Sequence, residues 1–162
     1  MGCDIHAYVE YKPKGNTNWQ SFGKRLNPGR YYGMFALLAN VRNNGDLKPV
    51  AELRGVPLDV GYYAAKDLVL RVNDKFGNEE GWCSKASADR WVASGSSKWW
   101  VEEHSITHPD WHSHSWVTAD ELQKALGSLP FENPYEFVAV LDCLRSFERQ
   151  GCEARLVFWF DN

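Results

Sequence analysis

Between His104 and Trp116 the chain reads HSITHPDWHSHSW, which holds four of its five histidines; the fifth, His6, stands beside Asp4 in the opening MGCDIH. Histidine is the commonest metal ligand and titrates near neutrality, so such crowding points to chemistry. His112 and His114 form an HxH pair, and in extended backbone residues two apart point the same way, so both imidazoles can reach one cation. Asp4 and His6 stand in the same relation. The four together are the candidate ligands of a divalent metal: zinc, manganese or magnesium. His108 and Asp110 are the candidate catalytic residues, Asp110 as a ligand, as the partner that orients an imidazole, or as base for a metal-bound water. Two other readings stand beside the metal. The histidines could be hydrogen-bonded core imidazoles bracing Trp111 and Trp116, or could serve without metal as acid, base or phosphate donor, helped by Ser113 and Ser115. A Ser-His-Asp hydrolase has no support, because no G-x-S-x-G occurs.

An anion would need cationic donors. Arg30 follows Pro28 and Gly29 at the start of a helical pattern, where free backbone N–H groups favour a phosphate. Arg42 lies on that helix, and Arg54 precedes Gly55. A guanidinium fork matches phosphate oxygens, so these three are candidate substrate contacts, with Trp116 as the stacking surface for a base. Arg30 could equally lie over Tyr31 with its charge in water.

These residues need elements to hold them. In CDIHAYVEY, residues 3–11, Cys3, Ile5, Ala7, Val9 and Tyr11 share one face of a strand and Asp4, His6, Tyr8 and Glu10 the other. Residues 12–29 read as a surface turn with a short hairpin around Trp19 and Phe22. The stripe Tyr31, Phe35, Leu38 and Arg42 predicts a helix stopped by Asn43, Asn44 and Gly45. Residues 46–60 suggest a short strand and a structured loop. Tyr62 to Phe76 has helical spacing, while β-branched Val69 and Val72 leave a strand reading open. Ser87 is a candidate cap for a short helix, and Lys98 to Thr107 reads as one strand. Thr118 and Glu121 make a capping box, with Gly127 as the stop. Asn133 and Pro134 open a helix over about 134–149, and ARLVFWF suits a buried central strand.

Strands mixed with helices in no regular βαβ order predict an α+β fold in a single compact domain, 1–162. It would be a mainly antiparallel sheet packed by three to five helices. First and last strands often pair in such folds, which would set the Asp4 and His6 face mid-sheet. The 162 residues, 44% apolar with eight tryptophans, suffice for one core. A net charge of −3 gives no basic field, so a nucleic-acid duplex is not an expected partner. No apolar run reaches the roughly 18 residues of a membrane span, and the start lacks a secretion signal, so a cytoplasmic protein is expected. Cys3, Cys83, Cys143 and Cys152 include no CxxC and read as reduced thiols.

The opening DxH with a late HxH resembles the outer motifs of calcineurin-like metallophosphoesterases, in which such residues bind two metals and a bound hydroxide attacks phosphorus. The middle motifs differ: Gly77, Asn78 and Glu79 stand where Gly-Asn-His is the rule. More of the chain, namely MGCDIH, FALLANVRN, RGVP and HSHSW, is similar to a family of uncharacterised small phage and bacterial proteins. Two functions follow as expectations. One is a metal-dependent phosphoesterase acting on a small nucleotide or a cyclic-nucleotide-like substrate. The other is a non-catalytic phage protein that sequesters a nucleotide-derived signalling molecule in the host cytoplasm.

Overall fold

A computed structural model describes residues 2–100, 104–130 and 133–162. The first strand, β1 (Ile5–Lys12), pairs antiparallel along its whole length with the last, β8 (Glu153–Phe160), from Ile5 opposite Phe160 to Lys12 opposite Glu153. Short β2 (Gln20–Ser21) continues the sheet beyond β1, and β7 (His112–Val117) lies on the other side of β8, giving the order β2-β1-β8-β7. ARLVFWF is therefore a central strand, and Ala154 to Phe160 are all buried. A second sheet, in the order β4-β3-β6-β5, combines β3 (Val69–Val72), β4 (Trp82–Cys83), β5 (Lys98–Trp100) and β6 (His104–Thr107). Only β3 with β4 is parallel among the described pairs. With five helices among the described residues, the fold is α+β and mostly antiparallel, as the pattern predicted. None of these helices is long and apolar enough to cross a membrane.

Both faces of the first sheet are covered. Ile5, Ala7 and Val9 join Leu156, Phe158, Phe160 and Val117 beneath α1 (Tyr32–Ala39), α4 (Ala119–Gly127) and α5 (Tyr135–Arg149). On the opposite face Tyr8, Val157 and Trp159 pack with Ala64 and Leu68 of α2 (Tyr62–Leu68), and with Val69 of the second sheet. Burial on this scale, at about 25 cal/mol per Å² of apolar surface, is the main force holding the layers. A smaller cluster, Cys83, Ala88 and Ile106, joins α3 (Lys85–Ala93) to the second sheet.

Several elements differ from the sequence reading. The α1 helix ends at Ala39 because Asn40 turns left-handed (φ 57°), a role asparagine tolerates, so that the Asn40 N–H returns to the Ala36 carbonyl and the Val41 N–H to the Phe35 carbonyl. The segment predicted as one helix from Tyr62 splits after Leu68, and the β-branched residues then win as β3. No strand forms over 46–60, whose backbone bonds instead to neighbours: Val50 N–H to the Leu37 carbonyl, and Gly55 N–H to the His114 carbonyl. Ser84 caps α3, accepting from the Ser87 N–H at 3.2 Å, so the cap falls three residues before the expected one. Asn133 makes no cap, since Pro134 occupies that position. The 98–107 stretch is an antiparallel pair, β5 with β6, whose connection at 101–103 lies outside the described residues.

Candidate functional site

The polar face of β1 is not wet. His6 Nε2 donates to Asp161 Oδ2 at 2.7 Å, the Tyr8 hydroxyl to Asp67 Oδ2 at 2.6 Å, and Glu10 receives Arg155 Nε at 2.9 Å and the Gly61 N–H at 2.6 Å. Arg155 also reaches Asp59 at 2.9 Å. Burial and the Asp67 acceptor push the Tyr8 hydroxyl above its ordinary range, which keeps it a neutral donor. The buried polar side chains of β1, His6, Tyr8 and Glu10, thus each have their own partner, as a low-dielectric setting requires. Asp4 is engaged too. Arg30 donates to it from Nε at 2.5 Å and Nη2 at 2.9 Å, a fork-to-fork pair that holds the carboxyl below its usual range.

A β-bulge decides what happens to the HxH pair. Val117, Trp116 and Ser115 stand opposite Leu156, Val157 and Phe158, yet His112 stands opposite Phe160, so β7 spends one residue more than β8 between those pairs. Ser113 takes up the extra length in the left-handed region, φ 53°. Had the register continued, His112 and His114 would have shared the face of Trp159 and His6. The inserted residue moves His112 to the other face, where its ring stacks on Phe160 at 6.0 Å, in the row of Ile5. His6 packs on the opposite face, against Trp111 and Trp159 at 5.1 and 5.9 Å. The joint centre of Asp4, His6, His112 and His114 therefore does not form. Among the described residues no group of three or more His, Cys, Asp or Glu is placed to hold a metal ion.

What the sheet end does contain is a cavity of about 440 Å³ lined by Pro109, Asp110, Trp111, His112, Asp161 and Asn162. Asp161 is fixed there from two sides, by His6 on Oδ2 and by the Asp4 N–H on Oδ1 at 3.0 Å. His112 bonds Ser113 Oγ through Nδ1 at 2.9 Å, and its Nε2 is buried with no hydrogen-bond partner among the described residues; the same holds for His114 Nε2. The chain matches no family model, no curated protein and no solved structure at a significant level. The site must be read from its own chemistry.

Asp161, which directly follows the last strand, is absent from the site residues that the sequence pattern singles out. The signal was nonetheless present: pairing β1 with β8 from their outer ends sets Asp161 beside Asp4. Trp111, not Trp116, is the indole on the cavity. Trp116 lies under the Arg54 guanidinium at 4.3 Å and within 5.8 Å of Arg155, which covers Trp19 in turn at 3.8 Å. Arg54 closes on Glu121 and the Trp116 carbonyl, so it is no open phosphate fork, and Arg30 is likewise closed on Asp4. Arg42 lies by the Cys3 thiol. His108 sits against Trp111 at 5.1 Å, off the cavity lining, with Nδ1 accepting the Asp110 N–H at 3.2 Å; Asp110 itself is 78% exposed. The expected catalytic pair is thus a turn whose carboxylate alone borders the cavity.

Proposed function

We propose that this protein binds a small nucleotide-like molecule in the Asp161 cavity and holds it without hydrolysis. One observation carries the reading: a carboxylate clamped from behind by His6 and the Asp4 N–H borders a cavity beside an indole and an imidazole. Each Asp161 oxygen accepts one bond within the chain and keeps capacity for a second. Two parallel acceptors held this way suit a planar ring with adjacent N–H donors, of the guanine type. Trp111 supplies a π-surface worth about 1–3 kcal/mol per stacked base. About 440 Å³ lies within the range of roughly 300–1,000 Å³ usual for small-molecule sites. Asp110 and Asp161 repel phosphate, so a bound nucleotide would direct its phosphates outward. Among the described residues, a metallophosphoesterase would find no converging set of metal ligands. Capture without turnover is what a protein sequestering a nucleotide-derived signal requires.

Thermal-shift and calorimetric titrations with GMP, cyclic GMP, AMP and inorganic phosphate test this, with phosphorus NMR following the ligand. The guanine compounds are expected to stabilise the native state by mass action and to be recovered intact, while AMP and phosphate do nothing. Asp110→Asn, at an exposed position, is expected to weaken binding severalfold, and Asp161→Asn to weaken it further. Absence of any guanine-dependent shift at millimolar ligand, or release of phosphate, overturns the proposal.

A further inference from the structure

A larger cavity, about 580 Å³, opens in the second sheet, away from the Asp161 end. One wall is a single stripe of α3: Lys85, Ala88, Asp89 and Val92 follow the i, i+3, i+4, i+7 spacing of one helix face. The other wall is the face of the sheet that meets this helix. Register sets Lys98 and Leu70 both opposite Ile106, so Lys98, Ile106 and Leu70 share that face. Val72, two residues after Leu70, lies on it too and lines the cavity. A helix lying on a sheet normally closes the gap with apolar side chains. Here the facing stripe alternates short Ala88 with two charged residues, and among the described residues the fully buried cluster between the layers is Cys83, Ala88 and Ile106, with Leu70, Val72, Trp91 and Val92 partly buried against it. The floor is apolar, from Val72, Ile106, Ala88 and Val92. Charge on the rim comes in both signs, Lys85 and Lys98 against Asp74 and Asp89. Among the described residues neither lysine nor Asp89 forms an ion pair, while Asp74 accepts the Lys85 N–H at 2.8 Å.

We infer that this cavity is a second binding site, for a zwitterion carrying an apolar side chain: its carboxylate meets lysine, its ammonium meets aspartate, and its side chain rests on the Val72, Ile106 and Val92 floor. A free amino acid such as leucine or phenylalanine and a short apolar peptide share this chemistry. A purely anionic amphiphile meets two carboxylates and a purely cationic one meets two ammonium groups, so each is disfavoured. The site is independent of the Asp161 cavity and of any ligand held there.

NMR chemical-shift titration of the full chain with leucine, phenylalanine and leucyl-leucine, against octanoate and octylamine, tests the inference. Shifts are expected at amides of residues 85–92 and 104–106, with the zwitterions binding at least ten times more tightly than either single-charge compound. Tighter binding of leucyl-leucine than of leucine would assign the site to peptides, the reverse to free amino acids. Lys98→Ala and Asp89→Ala, both at the rim, are expected to lower affinity about tenfold with unchanged far-ultraviolet dichroism, and Val92→Phe to fill the floor and abolish binding. Failure of every zwitterion to shift those amides, octanoate binding as well as leucine, or parental affinity in both charge variants overturns the inference.

Discussion

His114 shows how a single side chain carries the cost of its surroundings. Burial, reinforced by the nearby His112, pushes its imidazole down to about 4, against 6.5 for the ordinary residue. Between those values the unfolded chain holds a proton that the folded chain refuses. His114's contribution to stability is therefore complete above pH 6.5 and is lost as pH falls toward 4, by at most about 1.4 kcal/mol per pH unit. Urea unfolding at pH 7, 6 and 5 is expected to show this decline. His114→Leu, which also removes the unpartnered Nε2, should flatten the decline without loss at pH 7. An unchanged pH slope in the variant would show that some other group is responsible.

At the scale of elements, the bulge in β7 sets the site end of that strand, and the cap of α4 fixes its other end. Ser113 pays for its left-handed backbone with strain that glycine avoids and a β-branched residue worsens. Ser113→Val is expected to be less stable than Ser113→Gly by about 1–2 kcal/mol in chemical denaturation. Equal stabilities would mean that the bulge relaxes. Thr118 accepts the Glu121 N–H while Glu121 accepts the Thr118 N–H at 2.9 Å, and the same carboxylate closes on Arg54, which holds it below its usual range. Thr118→Ala should cost about 1 kcal/mol. Glu121→Ala, which frees Arg54 from its perch on Trp116 as well, should cost more. A smaller loss from Glu121→Ala would show that the Arg54 tie to the 53–61 loop contributes nothing.

Across the whole molecule, the most deeply buried ion pair among the described residues is that of Arg155 with Glu10, which Asp59 extends toward the surface. Glu10 is fully buried and Arg155 4% exposed, and the pair joins both terminal strands to the loop before α2. Removing one member strands a charge in a low-dielectric layer. Glu10→Ala is therefore expected to destabilise by about 3–5 kcal/mol. By contrast Arg145, whose carboxylate partners Asp120 and Glu148 lie at the surface, should cost less than about 1 kcal/mol when replaced by alanine. Comparable losses from the two variants in urea titrations would contradict this ranking.

Local and periodic features were legible in the chain. Alternation in residues 3–11 and the near-continuous apolar run ARLVFWF specified two strands, one of them central, because side-chain period and burial are direct consequences of strand geometry. The Thr118 and Glu121 capping box likewise needs only residues three apart. Even the Asp161 partnership follows once the two terminal strands are paired. What the sequence could not settle was parity. Whether His112 and His114 meet His6 on one face depends on a single inserted residue at Ser113, and a one-residue slip sends side chains to the other side of a sheet. Nor could arginine and tryptophan types say whether they face a ligand or one another. Only tertiary packing, which brought Glu121 to Arg54, Asp4 to Arg30 and Arg155 to Trp19, decided that these charges are spent inside the fold, because long-range partners carry no signature in local spacing.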